Sequence, residues 1–510
     1  MFQASDSHPR SQSIIGGIVL AVSLLLAWQL GTKIAVGDNE FLIYSAVLAA
    51  GAGAIVATLH NWRFGFYIFF FWMMFEDLFR KYMGNGPALF FGKDILLLFV
   101  YLSYFIAVRR RREKLFRPEF LPFFMLFFWL GVGQLFNQHS PSILYGLLGL
   151  KIYFYYVPLL FIGYSLIRTD EDLMRFLKVN AWLTIPVCVV GITQSIVGNS
   201  FLNPGQLAPE LQDLGDLQKT NSAGQIFNLP DSIFVSAGRY TQYLPIAFIL
   251  AMGATGYLLM YSRRNRGLAF LTMGMAGIAA LLSGNRGCTV AVVLTMVLLS
   301  VGFLWGAPWQ FRQGHRVLKA VRRSFVVAVA AVVIAVVFFP ETAGSRVAYY
   351  AETLLPSGNN FEVTNRAWDY PMANLMAAFT RPNWVLGNGI GTASLGTQYV
   401  KKLTGTTPPP IGVEEGYAAL IVQMGIIAPF VWLLWTCALI YYSWKKIRTL
   451  RGSRFFPVAL CIGWYTFLLL FLWTYGSLVS FENYTCSVFL WLLIGVLARL
   501  PELNDSPPAV

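Results

Sequence analysis

The chain has 510 residues, of which 56% are hydrophobic and only 12% are charged. A soluble globular chain has about 25% charged residues, so this composition excludes an ordinary soluble protein and indicates many membrane-spanning segments. The formal net charge is +14. Because the basic residues cluster in short gaps between apolar runs, and because no nucleic-acid-binding motif is present, we attribute the charge to membrane topology and expect no nucleic-acid partner.

About fourteen apolar runs follow one another along the chain, most of them close to the ~20 residues that a spanning helix needs. We expect membrane spans at 14–30, 41–58, 63–76, 89–108, 120–136, 145–167, 178–197, 242–261, 267–282, 288–305, 324–340, 415–442, 456–475 and 481–499. The runs show no alternation of period two, which excludes a membrane β-barrel, and helices then satisfy the backbone in lipid. The predicted fold is all-α, with residues 1–510 forming a single polytopic membrane domain.

Every second gap between these runs is rich in Lys and Arg: residues 109–112, 263–266, 312–323 and 445–454. The positive-inside rule places these gaps in the cytoplasm, and an even number of spans then leaves both termini there. The two longest gaps, 198–240 and 341–412, fall on the extracytoplasmic side as larger loops. The polar, proline-containing end 501–510 is predicted to be a disordered tail.

Four cations lie at predicted outer ends of spans or in the second large loop: Lys151, Arg239, Arg286 and Arg366. Each could be an interfacial anchor that reaches lipid headgroups, or a group that faces a cavity and holds an anion. Arg286 belongs to Ser283-Gly284-Asn285-Arg286-Gly287, where the glycines permit a tight turn and close approach of a ligand. The Gly-rich run 386–392 lacks a surrounding βαβ unit, so it predicts a tight loop returning to the membrane and not a nucleotide site.

Two adjacent carboxylates, Glu414 and Glu415, stand at the outer start of the predicted twelfth span. They could favour a helix N-terminus through the positive end of its dipole. Alternatively, burial and mutual repulsion could raise their pKa values and make one of them a general base. Together with cations on the same membrane face, a carboxylate suits a reaction with a diphosphate leaving group and an attacking sugar hydroxyl.

These motifs resemble those of the O-antigen ligase and Wzy-type polymerase superfamily of bacterial envelope polysaccharide assembly. The stretch 283–287 resembles the Ser-x-Ser-Arg-Gly turn of that family, with Asn285 at the second Ser. Arg366 and Trp368, followed by Leu386-Gly387-Asn388-Gly389, resemble its Arg-x-x-x-Trp and Leu-Gly-x-Gly stretch, with the Trp displaced. The segment Glu415 to Gly425 resembles the helix that follows. O-antigen ligases usually carry a His-Asn pair before that helix, where this chain has two glutamates.

The resemblance implies GT-C-like helical architecture in the bacterial cytoplasmic (inner) membrane. It implies metal-independent glycosyl transfer without a cofactor, from an undecaprenyl-diphosphate-linked glycan donor to a glycan or lipid acceptor. Arg239, Arg286 and Arg366 are then the expected diphosphate-binding groups, with Lys151 as a lesser candidate, and Glu414 or Glu415 is the base or orients the acceptor. Membrane lipid is an expected partner, and other polysaccharide-assembly proteins are open as further ones.

Three alternatives stay open at this point. The chemistry could be that of a ligase or of a polymerase. A polysaccharide flippase or other transporter would instead carry charged residues near the middle of several spans. A non-catalytic scaffold would depend on no single outer Arg or Glu.

Overall fold

The computed structural model describes residues 39–84, 86–113, 115–204, 218–221, 224–261, 266–306, 344–356, 362–408 and 412–505, with isolated residues between 319 and 340. The predicted first span, 14–30, and the end of the predicted tail, 506–510, lie outside the described residues. The predicted span 324–340 and the loop 198–240 lie partly outside them.

The described chain is built almost entirely from helices. In chain order these are α1 Asn39–His60, α2 Trp62–Met83, α3 Pro87–Arg111, α4 Leu121–Gln134, α5 Ile143–Phe154, α6 Leu159–Leu166, α7 Asp170–Val197, α8 Ala237–Tyr261, α9 Arg266–Leu282, α10 Arg286–Gly306, α11 Ser345–Leu354, a π-helical turn Asn365–Asp369 that leads into α12 Tyr370–Ala378, α13 Thr397–Thr404, α14 Gly416–Met424, α15 Ile427–Thr449, α16 Phe456–Phe467, a π-helical turn Leu468–Trp473 that leads into α17 Thr474–Gly476, α18 Val479–Glu482 and α19 Tyr484–Asp505. Two short antiparallel strands, β1 Gln218–Thr220 and β2 Ile226–Asn228, pair with Lys219 opposite Phe227.

Within the described residues, eight helical segments are long and apolar enough to cross a membrane. They are Leu89–Arg111, Ile143–Leu166, Asp170–Val197, Ala237–Leu259, Arg286–Gly306, Ile427–Thr449, Phe456–Gly476 and Tyr484–Asp505. The prediction of an all-α, multi-pass membrane protein is therefore confirmed, with one small β-hairpin added. The total of fourteen spans stays a prediction.

The chain divides into two compact units. The smaller comprises the described part of Met1–Phe69 together with Asp94–Ala107, and inside it the rings of Trp62 and Tyr104 meet edge to face at 5.1 Å. The larger comprises Phe70–Lys93 and the described residues from Val108 onward. Every candidate site residue belongs to the larger unit.

Small residues let two helices of the larger unit approach closely. A Cβ atom at Gly163 of α6 would collide with the backbone carbonyl of Leu492 in α19, and one at Gly495 of α19 would collide with that of Leu160 in α6. Helix association in membranes favours such contacts, because packing replaces the hydrophobic effect as the driving force. Aromatic rings fill the neighbouring core, where Trp435 stacks on Trp491 at 6.0 Å.

Two predicted spans are interrupted. The span 145–167 consists of α5 and α6, separated by a turn before Pro158, because proline has no N–H to continue the helical hydrogen bonds. The prediction of a single helix over 415–442 is wrong. The segment comprises α14, a break at Gly425 with φ +85°, and the first part of α15. Only Ile427–Thr449 has the length and hydropathy of a span.

The Gly-rich loop hydrogen-bonds to both sides of the break between α14 and α15. The amide of Asn388 donates to the carbonyl of Val422 at 2.9 Å, and the amide of Gly389 donates to that of Gln423 at 2.9 Å. On the other side of the break, the amide of Ile426 donates to the carbonyl of Val385 at 3.2 Å. The loop thus binds the backbone groups that the interrupted helix leaves free.

The last helix extends further toward the C-terminus than predicted. α19 continues through Pro501 to Asp505, because Leu500 and Leu503 are buried and hold the last turn against the protein. The disordered tail predicted from residue 501 is therefore wrong over 501–505.

Candidate functional site

A cleft of about 510 Å³ lies beside the Ser283–Gly287 turn, α11 and the start of the π-helical turn before α12. Its charged lining consists of Lys219, Arg286, Glu362 and Arg366 among the described residues. An apolar wall completes it, formed by Leu229, Val290, Leu354, Val363 and Leu472. The cleft therefore joins a positively charged side to an apolar side.

The local sequence of the turn positions Arg286. The hydroxyl of Ser283 accepts the amide of Asn285 at 3.2 Å, and the side-chain oxygen of Asn285 accepts the amide of Cys288 at 3.0 Å. Asn285 thus caps α10, as Ser or Asn does at many helix N-termini. Gly284 has φ +70°, a left-handed conformation that favours glycine, and a Cβ atom there would have to displace the Leu229 and Phe227 side chains. Arg286 becomes the first residue of α10 and points into the cleft lining.

Arg286 makes a direct ion pair with Glu362. Its Nη2 atom lies 2.7 Å from Oε2 of Glu362, and its guanidinium lies 5.2 Å from the ring centre of Tyr349. Its Nη1 atom is buried and has no hydrogen-bond partner among the described residues. A buried guanidinium nitrogen without a partner is costly, so this cation has capacity for another acceptor oxygen.

Arg366 faces the same carboxylate from the π-helical turn. Its Nε atom lies 3.8 Å from Oε2 of Glu362, its guanidinium lies 4.8 Å from the ring centre of Tyr370, and its side chain is 57% exposed. The hydroxyl of Tyr475 in α17 donates to the carbonyl of Ala367 at 2.9 Å and so holds the turn against α17. π-Helical turns are rare and often occur at functional sites. Two guanidinium groups from distant parts of the sequence therefore converge on one carboxylate.

Glu362 was not predicted from the sequence. The hydrogen bond from Arg286, the charges of Arg286 and Arg366, and that of Lys219 lower its pKa, while partial burial acts in the opposite direction. Its position four residues before Arg366 on a helical segment was the available signal, because side chains at that spacing are neighbours.

Glu414 and Glu415 lie outside the lining of the cleft. Glu415 is buried and caps α14: its two oxygens accept the amides of Tyr417 at 3.0 Å and Ala418 at 2.6 Å. Burial raises its pKa to about 7, although the two N–H groups act to lower it. Its geometry therefore matches the helix N-terminus interpretation.

Glu414 is exposed and is connected to the cleft cation Arg366 through the side chain of Tyr370. Its carboxylate is hydrogen-bonded to the hydroxyl of Tyr370, which raises the pKa of Tyr370, and the ring of Tyr370 carries the guanidinium of Arg366. Its backbone amide donates to Asn374 at 2.9 Å. Glu414 thus does not contact Arg366 directly, and the side chain of Tyr370 lies between them.

Arg239 belongs to a different group of charges. Its Nη1 atom lies 2.8 Å from both carboxylate oxygens of Asp77, and Asp77 also binds Arg80 at 2.7 Å. The side chain of Asp77 is completely buried, so this carboxylate is compensated by two guanidinium groups. The structure does not place Arg239 in the lining of the cleft with Arg286 and Arg366.

Lys151 joins the group around Arg80. Its Nζ atom lies 5.0 Å from the ring centre of Phe90 and 5.5 Å from that of Phe91. Arg80 faces the ring of Phe90 too, at 5.2 Å. The four predicted anion-binding cations therefore fall into two groups: Arg286 with Arg366 at the cleft, and Arg239 with Lys151 in a buried cluster of charges and aromatic rings.

Another carboxylate that the sequence analysis missed is Glu482, which is buried between the last two spans. It accepts the hydroxyl of Ser394 at 3.0 Å, that of Tyr153 at 3.3 Å and the amide of Leu395 at 2.9 Å. Burial raises its pKa, and these hydrogen bonds act in the opposite direction. Glu482 thereby holds the end of the Gly-rich loop against α5.

The chain matches no protein-family model and no curated protein.

Proposed function

We propose that this protein is a metal-independent membrane glycosyltransferase of the O-antigen ligase or polymerase type. It transfers a glycan from an undecaprenyl-diphosphate-linked donor to a glycan or lipid acceptor on the extracytoplasmic side of the bacterial inner membrane. The observation that carries the proposal is the convergence of Arg286 and Arg366, from two separate motifs, on one cleft with an apolar wall.

The charges of the cleft suit a diphosphate leaving group. In the proposed reaction an acceptor hydroxyl oxygen attacks the anomeric carbon of the donor sugar, the bond from that carbon to the diphosphate breaks, and its electron pair goes to the diphosphate. Guanidinium groups stabilise such developing charge through two parallel hydrogen bonds. Arg286 and Arg366 supply these groups, and Lys219 adds a third positive charge.

The apolar wall suits the lipid part of the donor. Val290 lines the cleft one turn into α10, and its side chain is exposed. Val293, Val297 and Val301 are exposed further along the same spanning helix, at spacings that place them on one face. A polyprenyl chain whose diphosphate lies at Arg286 can therefore follow α10 into the hydrocarbon region.

Glu414 is positioned to orient the acceptor. It is exposed, and Tyr370 connects it to the cation at Arg366. Glu415 contributes indirectly, because it caps α14 and so fixes the segment that carries Glu414. Arg239 and Lys151 lie in the cluster around Asp77 and Phe90, outside the cleft lining, and are the lesser candidates for direct diphosphate contact.

A flippase is the second candidate, favoured by the buried ion pairs of α2 and α3. Lys93 binds Glu76 at 3.0 Å and Lys81 binds Asp231 at 2.9 Å, with all four side chains inaccessible to solvent. Buried charges in membrane proteins often mark a transport path. Here the pairs lie toward the joined ends of α2 and α3 and in the segment before α8, instead of along a path through several spans, so the transferase is the better supported function.

The test is the glycan profile of a deletion strain complemented with the wild-type gene, Arg286→Ala, Arg366→Ala or the control Lys445→Ala. Lys445 forms an exposed ion pair with Glu119 and does not line the cleft. Like the cleft variants, Lys445→Ala removes one positive charge from an ion pair with a glutamate. We expect lipid-linked repeat units to accumulate on the outer face, and long polymer to be lost, in both cleft variants but not in the control. Normal polymer from correctly inserted Arg286→Ala protein would refute the site. Repeat units trapped on the inner face would establish the flippase instead.

A further inference from the structure

The carboxylate of Glu362 occupies the position that an anionic ligand of the cleft would take. Its Oε2 atom contacts Arg286 at 2.7 Å and lies 3.8 Å from Arg366. Among the described residues that line the cleft, it is the one carboxylate, and three cations surround it. Its side chain is 37% exposed, so it can leave the guanidinium groups for water without a large desolvation cost.

Glu362 does not satisfy all the hydrogen-bond donors of Arg286. One carboxylate oxygen serves both guanidinium groups, while the buried Nη1 atom of Arg286 has no acceptor in the part of the chain that the structure describes. A diphosphate brings more acceptor oxygens and more charge than a carboxylate does. It can therefore replace Glu362 at Arg286 and also satisfy the atom that Glu362 leaves unbonded.

We propose that Glu362 is the catalytic base of the reaction and that donor binding activates it. This inference rests on the proposed function. In the resting protein the carboxylate is bound to Arg286; the incoming diphosphate takes over the guanidinium groups and releases Glu362 beside itself, next to the anomeric carbon. The released carboxylate accepts the proton of the acceptor hydroxyl as the new carbon–oxygen bond forms and the lipid diphosphate departs with the electron pair.

Donor binding activates Glu362 because it changes the charges that surround this carboxylate. While Glu362 is bound to Arg286, the guanidinium keeps its pKa low and makes it a poor proton acceptor. Once the guanidinium groups are neutralised by a diphosphate, the carboxylate has an anion instead of a free cation beside it, and its basicity rises. The acceptor is thus deprotonated only when the donor is in place.

The experiment uses the full-length protein in nanodiscs of zwitterionic lipid and separates binding from chemistry. Pyrophosphate binding is measured by calorimetry, and transfer from a synthetic polyprenyl-diphosphate donor is measured at saturating donor. The variants are Glu362→Gln, Arg286→Ala and the control Glu119→Gln, which removes a carboxylate from the exposed pair with Lys445. Glutamine keeps the size of Glu362 and removes both its charge and its basicity.

We expect Glu362→Gln to bind pyrophosphate about fivefold more tightly, because the internal competitor is gone. We expect its kcat to fall about 100-fold or more, the usual contribution of a general base. The control should match the wild type in both. Unchanged kcat in Glu362→Gln overturns the base assignment, and unchanged or weaker pyrophosphate binding overturns the displacement, even if Arg286→Ala abolishes binding. Pyrophosphate binding that is indifferent to Arg286→Ala refutes the proposed function itself and this inference with it.

Discussion

The tight contact of the Gly-rich loop with α5 offers a sharp test of how the cleft region is held together. Gly391 has φ +84°, and a Cβ atom there would overlap the carbonyl oxygen of Tyr145 and lie 2.6 Å from the amide nitrogen of Gly149. Ordinary van der Waals contact begins at about 3.4 Å, and both neighbours are backbone atoms of a helix, which cannot yield easily. Gly405 is the matched control, because its φ is +68° and nothing lies within 4 Å of its Cβ position.

Both alanine substitutions place an L-residue in the left-handed region, at a cost of about 1–2 kcal/mol in the free energy of unfolding. Gly391→Ala must in addition move the loop away from α5. That movement breaks the hydrogen bond from the Gly391 amide to the side-chain oxygen of Gln423, now 3.0 Å long, and leaves buried polar groups unpaired at about 1–3 kcal/mol. We therefore expect a total loss of about 2–5 kcal/mol for Gly391→Ala, against about 1–2 kcal/mol for Gly405→Ala.

The assay is the thermal unfolding midpoint of each purified protein in detergent, followed by tryptophan fluorescence. Gly391→Ala should lower the midpoint at least twice as far as Gly405→Ala does. Equal shifts in the two variants would show that the backbone contact contributes nothing, and the account of the loop as a wedge against α5 and α14 would have to be abandoned.

Two further predictions concern a buried carboxylate and a helix contact. The folded-state pKa of Glu415, about 7, exceeds the ordinary value of 4.5, so the unfolded chain releases this proton first and stability falls as the pH rises from about 4.5 to about 7. Glu415→Gln should therefore flatten the fall in stability between pH 5.5 and pH 8, which the carboxyl of Glu415 accounts for by up to about 2 kcal/mol in free energy, and an unaltered pH dependence would contradict the assignment. Gly163→Ala should separate α6 from α19 and lower the unfolding midpoint markedly, whereas Gly133→Ala in α4, where a Cβ atom meets nothing within 4 Å, should leave it nearly unchanged. Similar midpoints for these two variants would argue against close packing at Gly163.

The positions of most helices could be predicted from the sequence, because a spanning helix needs a continuous apolar run whatever its neighbours are. α8, α9 and α10 begin and end within a few residues of the predicted spans. The turn before Arg286 was also accessible from sequence, since Ser283, Gly284 and Asn285 act on their own backbone.

The predicted single helix over 415–442 failed for the opposite reason. Its apolar run is continuous, but Gly425 and Pro429 lie within it, and proline is tolerated in the first turn of a helix and not in its interior. Across the break, Asn388 and Gly389 donate hydrogen bonds to the end of α14, and Val385 accepts one from Ile426. A contact between distant segments leaves no periodic signal in either of them.

Hydropathy and helix capping are local properties, so a multi-pass, helical membrane protein with candidate anion-binding cations at its helix ends could be predicted from the amino-acid sequence. Which of those cations act together depends on the packing of the helices. This packing paired Arg239 with Asp77, brought Arg286 and Arg366 to one cleft, and placed Glu362 between them. The physical reason is that an ion pair forms across space between chain segments whose separation depends on how all the intervening helices pack.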